Sequence, residues 1–159
     1  MVSTVIKNWD NKTWLSSKNY ILNFNNFLTK ANKLDSNSQI LDIGCGRGKI
    51  IGSLSSKLKL RVKPIGIDLV YHKDKDKRID FKKIDAISFF SINKKKFDLI
   101  LIKQTIHLLK MSEIKNLLIK MKKSLKPNGK ILIFTLKPHN LEIPNFKLMR
   151  IRLLKSLKR

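Results

Sequence analysis

The chain has 159 residues, which suits one domain with a hydrophobic core and is short for two. Hydrophobic residues make up 42% and charged residues 29% of the sequence, and no apolar run approaches the roughly 20 residues that cross a bilayer, so the composition argues against a membrane-spanning protein. Lysine and arginine number 35 against 11 aspartate and glutamate, which gives a net charge of +24. A protein with this charge attracts polyanions such as nucleic acids and does not repel them.

The first predicted element is a helix over residues 15–34. Apolar residues recur there at helical spacing, namely Ile21, Phe24, Leu28 and Ala31. The polar stretch 35–38 then predicts a turn. We therefore divide this single domain into an N-terminal helical cap segment, residues 1–35, and an α/β domain, residues 36–159.

From residue 39 onward, strand patterns and helix patterns alternate. Short apolar runs predict the strands, and apolar residues three and four apart predict the helices. This alternation predicts a parallel α/β sheet with right-handed crossovers. The predicted elements are a strand at 39–43, a helix at about 48–58, a strand at 62–67, a polar link at 71–78, a strand at 81–84, a helix at about 86–91, a strand at 97–102, a helix at 112–125 with Ser112 as its N-cap, a turn at 126–129 and a strand at 130–136.

The two ends of the chain carry features whose roles the pattern leaves open. Trp9 and Trp14 precede the first strand, and they either anchor the N-terminal segment in the core or form a lid over a substrate. Residues 145–159 are predicted to form an amphipathic helix. This helix covers the edge strand at 130–136, or that strand stays exposed, or the sequence is a fragment of a longer protein.

The most informative stretch follows the strand at 39–43. Gly44, Gly46 and Gly48 alternate in a tight turn before the next helix. Glycine lets the backbone turn sharply and approach a bound molecule closely, because it has no Cβ. A strand, a glycine loop and a helix at the carboxyl edge of a parallel sheet are typical of sites for nucleotide-like ligands. Asp42 precedes this loop, and an acid inside an apolar strand needs a partner.

This stretch resembles motif I of the class I, Rossmann-like S-adenosylmethionine-dependent methyltransferases, and the resemblance runs from about Gln39 to Leu136. It implies a three-layer α/β sandwich around a mainly parallel sheet. The family normally continues into an antiparallel sixth and seventh strand, and we expect this chain to lack that pair. S-adenosylmethionine is the implied cofactor, and no metal is expected.

The resemblance also implies roles for residues of the first two strands and their loops. The glycine loop, with Cys45 as a small spacer, would pass under the methionine part of the cofactor, and Asp42 would orient its ammonium group. Asp68 ends the second strand and is followed by Leu69. The Asp68 carboxylate would accept hydrogen bonds from both ribose hydroxyls, or it caps the next turn instead.

Further along the chain, Asp85 and Ala86 would contact the adenine, although aspartate is also suited to N-cap the helix that follows. Lys103 completes the predicted cofactor-binding set. His107 lies four residues later, where many small-molecule methyltransferases have a similar stretch, and it is a candidate general base or substrate hydrogen-bond partner; it is otherwise a histidine packed at the start of the next helix. We expect Asp98, at the start of the fourth strand, to be structural.

Together these residues predict an S-adenosylmethionine-dependent methyltransferase, placed in the cytoplasm because there is a single cysteine and no secretory signal. The Asn/Asp-Pro-Pro-Tyr/Phe and Pro-Cys motifs of nucleic-acid methylation are missing, which favours a small-molecule acceptor. The positive charge keeps an RNA- or ribosome-directed enzyme as an alternative, although lysine-rich compositional drift explains it as well. A truncated, non-catalytic binding module is the other alternative, and the oligomeric state is open.

Overall fold

A computed structural model of the chain describes residues 18–134. Trp9, Trp14 and the amphipathic segment 145–159 lie outside the described residues. The elements in chain order are α1 (Lys18–Asn32), β1 (Ile40–Ile43), α2 (Lys49–Leu58), β2 (Ile65–Asp68), β3 (Asp80–Lys83), α3 (Ala86–Ile92), β4 (Phe97–Lys103), a 3₁₀ turn (Ile106–Leu108), α4 (Met111–Lys123) and β5 (Leu125–Phe134).

The five strands form one sheet in the order β3-β2-β1-β4-β5, and all neighbouring pairs are parallel. The chain builds outward from β1 through β2 to β3 and then returns to place β4 on the other side of β1. The connections therefore diverge between β1 and β4, and a crevice opens beyond the carboxyl ends of these strands. This arrangement confirms the predicted α/β fold with a parallel sheet.

Side chains alternate between the two faces of the sheet and form two apolar layers. One layer packs α3 and α4 against Leu41, Ile43, Ile100 and Ile102. The other packs α1 and α2 against Ile40, Leu99 and Leu101. Asp42 follows the alternation of Ile40, and Lys103 follows that of Leu99 and Leu101. Both side chains therefore lie on the face of the sheet that α1 and α2 cover.

The predicted starts of β2 and α4 differ from the structure. β2 begins at Ile65 instead of residue 62, because Pro64 has no N–H to donate to a neighbouring strand. The predicted cap of α4 is also wrong. Lys110 and not Ser112 precedes the helix, and the Glu113 carboxylate accepts a hydrogen bond from the Lys110 N–H at 2.6 Å.

The last strand begins earlier than predicted, at Leu125 instead of residue 130. Its register pairs Leu125 with Phe97 and then Lys130 with Leu99, so the predicted turn 126–129 is an irregularity inside the strand. Asn128 lies there with φ at +67°. The predicted turn therefore corresponds to a register shift in the pairing with β4, and the pairing resumes at Lys130.

Candidate functional site

A cleft of about 320 Å³ lies at the carboxyl edge of the sheet, where β1, β2 and β4 end. All the residues that the sequence singled out for a ligand or for catalysis line this one cleft. They are Asp42, Gly44, Cys45, Gly46, Gly48, Asp68, Leu69, Asp85, Ala86, Lys103 and His107. A volume of this size falls within the range of about 300–1,000 Å³ that is usual for small-molecule and cofactor sites.

Bare backbone forms one wall of the cleft. Gly44, Gly46 and Gly48 have φ values of +71°, +54° and +69°, which L side chains rarely adopt. A Cβ on Gly44 would lie 2.0 Å from the Oγ1 of Thr105, and a Cβ on Gly48 would lie 2.2 Å from Cδ1 of Ile79. At Gly44 and Gly48, glycine is therefore required both by the turn and by the residue packed against it, and at Gly46 it is favoured by the backbone angle.

Asp68 connects this loop to the second strand. One carboxylate oxygen accepts a hydrogen bond from the Gly46 N–H at 2.8 Å, and the other accepts from the Val70 N–H at 2.9 Å. The turn-capping role that the sequence allowed is thus present. Because a carboxylate has about four acceptor positions, it retains capacity for ligand hydroxyls.

Asp42 is the most unusual charged group in the cleft. The residue is only 4% exposed, and its Oδ1 has no hydrogen-bond partner among the described residues. Burial raises the pKa of the Asp42 carboxyl from 3.8 to about 7, the positive charge of Lys103 opposes this rise, and the charge of Asp68 adds to it. Such an acceptor needs a charged donor to be stable when ionised.

Lys103 supplies part of that compensation. It ends β4, and since β4 pairs with β1 in parallel, its side chain shares a sheet face with Asp42. Burial lowers the pKa of Lys103, and the charge of Asp42 acts in the opposite direction. Its ammonium group also lies 5.7 Å from the ring centroid of Tyr20 in α1, within the range of a cation–π contact.

The acid of the third strand has the geometry of a helix cap. The Asp85 carboxylate accepts a hydrogen bond from the Ser88 N–H at 2.9 Å, which satisfies an unpaired donor at the start of α3. Asp85 is exposed, so ligand contact at this position stays a prediction. Asp98 lies at the opposite edge of the sheet, where it accepts from the Gln39 N–H at 2.6 Å and from Lys126 at 2.7 Å.

His107 lies in the 3₁₀ turn after β4, exposed at the cleft and not packed in the core. Partial burial lowers the pKa of this histidine below its usual 6.5, so the neutral ring predominates at pH 7. The pKa of the Cys45 thiol is shifted in the opposite direction, because burial and the nearby acids raise it. The thiol stays protonated, which argues against a nucleophilic role for Cys45.

The sequence did not identify several residues of the cleft. These include Ile21 of α1, His72 of the polar link, and Gln104 and Thr105 beside the end of β4. These residues line the cleft because segments that are distant in sequence pack together in the fold. The proximity of Gln104 and Thr105 to His107 in the chain was the one signal available for finding them.

The polar link 71–78 forms a loop that packs onto the glycine loop. Arg47 donates a hydrogen bond to the Asp74 carboxylate at 2.8 Å, and the carbonyl of Arg47 accepts from the Asp76 N–H at 2.8 Å. A Cβ added to Gly52 would lie only 2.4 Å from the carboxyl carbon of Asp76, so the Asp76 carboxylate packs directly on this glycine. Charged residues thus hold this connection where a crossover helix would otherwise lie.

Among residues 18–134, no helix is long and apolar enough to cross a membrane. Within the same described range, no group of three or more histidine, cysteine or acidic residues has the arrangement of a metal site.

Comparisons with known proteins identify a family. A family profile described as a methyltransferase domain matches residues 40–129. A search of curated protein sequences found no match. Among solved structures, the chain resembles the N-methyltransferase NodS from Bradyrhizobium japonicum WM9, in complex with S-adenosyl-L-homocysteine, with 20% identity and a TM-score of 0.61 over 80% of this chain and 67% of that one.

Two other solved structures are similar. One is a SAM-dependent methyltransferase from Archaeoglobus fulgidus, with 22% identity and a TM-score of 0.62 over 86% of this chain and 68% of that one. The other is the plantazolicin methyltransferase BpumL, with 25% identity and a TM-score of 0.62 over 77% of this chain and 49% of that one. The chain thus spans about half of one neighbour and about two thirds of the other two, and it shares their fold.

Proposed function

The chain belongs to the methyltransferase-domain family, and on this premise we propose that it is an S-adenosylmethionine-dependent methyltransferase that acts on a small-molecule acceptor. One observation carries the proposal. Asp42 is a buried carboxylate whose Oδ1 has no hydrogen-bond partner within residues 18–134, and it lies beside a glycine loop in the cleft at the carboxyl edge of the sheet.

The residues present fit such a cofactor. An amino-acid ammonium group would give the buried Oδ1 of Asp42 the charged donor that it lacks among the described residues. The Gly44–Gly48 loop lines the cleft, and side chains at Gly44 and Gly48 would collide with Thr105 and Ile79. Asp68 is held in place by two backbone N–H groups and has acceptor positions left for ribose hydroxyls, as in other nucleotide-binding α/β folds.

When bound, the cofactor supplies an activated methyl group on a sulfonium, so the difficult chemistry is its own. The protein then has to align an acceptor with that methyl group and keep water away, and proximity accounts for several kcal/mol of barrier reduction in such reactions. Leu108 and Leu109 add apolar surface to the cleft beside His107. A neutral His107 ring would accept a proton from an acceptor that must lose one.

A small acceptor is supported by the sequence, which lacks the Asn/Asp-Pro-Pro-Tyr/Phe and Pro-Cys motifs of nucleic-acid methylation. The named neighbours point the same way, because one is an N-methyltransferase and another is named for plantazolicin. A cap segment over residues 1–35 and a cytoplasmic location are further parts of this proposal.

The first test is calorimetric titration with S-adenosylhomocysteine. We expect binding by the full chain, loss of binding in Gly46→Arg, which fills the loop, and strong weakening in Asp68→Ala. Asp80→Asn is the matched control, because it removes a carboxylate from β3 that does not line the cleft. Equal titrations for all four proteins would contradict the proposed cofactor site.

The second test identifies the acceptor. The full chain is incubated with methyl-labelled cofactor and a fractionated cell extract, and we expect the label in the small-molecule fraction. Label in the RNA or ribosome fraction would replace the proposed acceptor by the alternative class. Binding of S-adenosylhomocysteine without any labelled product would overturn catalysis and indicate a binding module.

A further inference from the structure

A second groove, of about 370 Å³, lies at the other edge of the sheet, between the connection from α3 to β4 and the end of α4. Its lining is dominated by lysine, with two asparagines among the cations. The charged and amide residues are Lys94, Lys95, Lys96, Lys120, Lys123, Asn93 and Asn116. We call this set the basic groove.

The charge of this region is unbalanced. No acidic residue occurs in 86–97 or in 114–134. Between these ranges lie Asp98, which pairs with Lys126, and Glu113, which caps the far end of α4. The other seven acids of residues 18–134 precede Ala86, and three of them, Asp42, Asp68 and Asp85, line the first cleft. The ion pairs recorded within the described range involve none of the five lysines of the basic groove.

The negative ends of two helices offset only part of this positive charge. α3 and α4 both end at the groove, and the amino group of Lys96 donates to the carbonyl of Lys123 at the end of α4. Each helix C-terminus carries the equivalent of roughly half a negative charge, so two ends offset about one positive charge. Five lysines therefore leave an excess of about four positive charges. A structural role in capping helices does not need so many.

We propose that the basic groove binds the phosphate backbone of double-helical RNA. Lysine ammonium groups spaced along a concave surface match the spaced charges of a phosphate backbone. Proteins that bind single strands add exposed aromatic rings for stacking. The aromatic residue among the described residues that line this groove, Phe90, is only 9% exposed, so a double helix with stacked bases is favoured.

The asparagines favour RNA over DNA. Asn116 is exposed, and Asn93 is partly exposed, with its Nδ2 donating to the carbonyl of Lys95 at 3.0 Å; an amide has two N–H donors and an accepting oxygen. The 2′-hydroxyl of RNA offers the complementary donor and acceptor on the sugar–phosphate backbone, and DNA lacks it. A groove of lysines and amides without stacking rings therefore recognises the backbone and the shape of the RNA and not its base sequence.

The basic groove is separate from the methyltransferase cleft. Lys96 precedes β4 and Lys103 ends it, so the two sites lie at opposite ends of a seven-residue strand, about 20 Å apart at roughly 3.3 Å per residue. RNA bound here would anchor the protein without entering the cleft. The inference therefore does not rest on the proposed methyl transfer.

The test measures binding of the full chain to a short RNA duplex by fluorescence anisotropy over a series of salt concentrations. We expect log affinity to fall linearly with log salt, with a slope of about 0.9 per phosphate contacted. In the variant Lys94→Gln/Lys95→Gln/Lys123→Gln, the slope should decrease by about 3, one for each lysine removed, and affinity near 100 mM salt should fall at least about tenfold. Glutamine is polar and unbranched like lysine, and at Lys123 it has similar helix propensity, so the fold should persist.

The matched control is Lys73→Gln/Lys82→Gln/Lys83→Gln, which removes three exposed charges near β3 at the far side of the sheet. Its RNA affinity should change much less. An equal loss in both triple variants would show that net charge alone attracts RNA and would overturn the assignment. Should the first variant unfold, Lys94→Gln/Lys120→Gln tests the same groove, with an expected slope decrease of about 2.

Two further comparisons complete the test. A DNA duplex of the same sequence and a single-stranded RNA should bind more weakly than the RNA duplex, and equal binding of either would overturn the assignment to double-helical RNA. Titration of both variants with S-adenosylhomocysteine should match the unmodified chain. A failure of RNA binding with intact cofactor binding thus refutes this inference alone.

Discussion

The ionised, buried carboxylate of Asp42 should lower the stability of the fold and yet be needed for ligand binding. The variant Asp42→Asn separates these two effects. The pKa of Asp42 rises from 3.8 to about 7 on folding, chiefly because burial disfavours the charged form. The stabilising effect of the bound proton is complete below about pH 3.8 and is lost as the pH rises through about 7. Asparagine has nearly the same shape and never ionises, so the variant should be more stable than the unmodified chain at high pH.

The size of the effect follows from the two pKa values. At high pH, the ionised carboxylate costs about 4 kcal/mol of unfolding free energy, since each pKa unit corresponds to about 1.4 kcal/mol. Part of this cost is already present at pH 5, because an unfolded aspartate ionises below that pH. Between pH 5 and pH 8, the advantage of the variant should therefore grow by about 2 to 3 kcal/mol. The same substitution should abolish measurable S-adenosylhomocysteine binding, because it removes the charge proposed to hold the ammonium group.

The assay is urea unfolding of both proteins, without ligand, at pH 5 and pH 8. Taking the difference between variant and unmodified chain cancels the titration of groups far from the site. Asp98→Asn is the control, because Asp98 is partly exposed and paired with Lys126, and its removal should not stabilise the protein at pH 8. An advantage of Asp42→Asn that stays the same at both pH values would refute the argument that burial controls this carboxyl.

Three other predictions concern the cleft. Gly44→Ala should lower the unfolding free energy by about 2 to 5 kcal/mol in urea unfolding, because φ is +71° and the new Cβ would overlap Thr105; a loss below about 1 kcal/mol would contradict this packing. Asp68→Asn should weaken S-adenosylhomocysteine binding at least about tenfold by calorimetry, because an amide has a single accepting oxygen and cannot accept from the Gly46 N–H, the Val70 N–H and the ribose together; unchanged affinity would exclude the carboxylate from the site. If His107 accepts a proton, the rate of methyl transfer should rise with pH around a midpoint below 6.5, since burial lowers the pKa of His107, and His107→Gln should flatten that profile while leaving cofactor affinity unchanged; a pH profile that survives the substitution assigns the proton to another group.

Local pattern was enough to predict most of the fold. The apolar run around Leu41 and the helical spacing in α4 identified their elements, and the alternation of strands and helices determined a parallel sheet. Pattern was less reliable at boundaries, where single hydrogen bonds decide. Glu113 accepts from the N–H of Lys110 and so moves the start of α4, and β5 continues through a turn signal because β4 offers it partners.

The sequence by itself determined that a glycine loop follows a buried strand with an acid in it, because glycine spacing and strand alternation are local properties of the chain. Only the tertiary structure decided how charged that acid is. The parallel register of β1 and β4 places Asp42 and Lys103 on the face that α1 and α2 cover, where Asp42 is buried and Lys103 is partly buried. Burial and the proximity of charges come from segments that are far apart in sequence, and for this reason the raised pKa of Asp42, the packing of Thr105 on Gly44 and the basic groove at the opposite edge appear only in the folded protein.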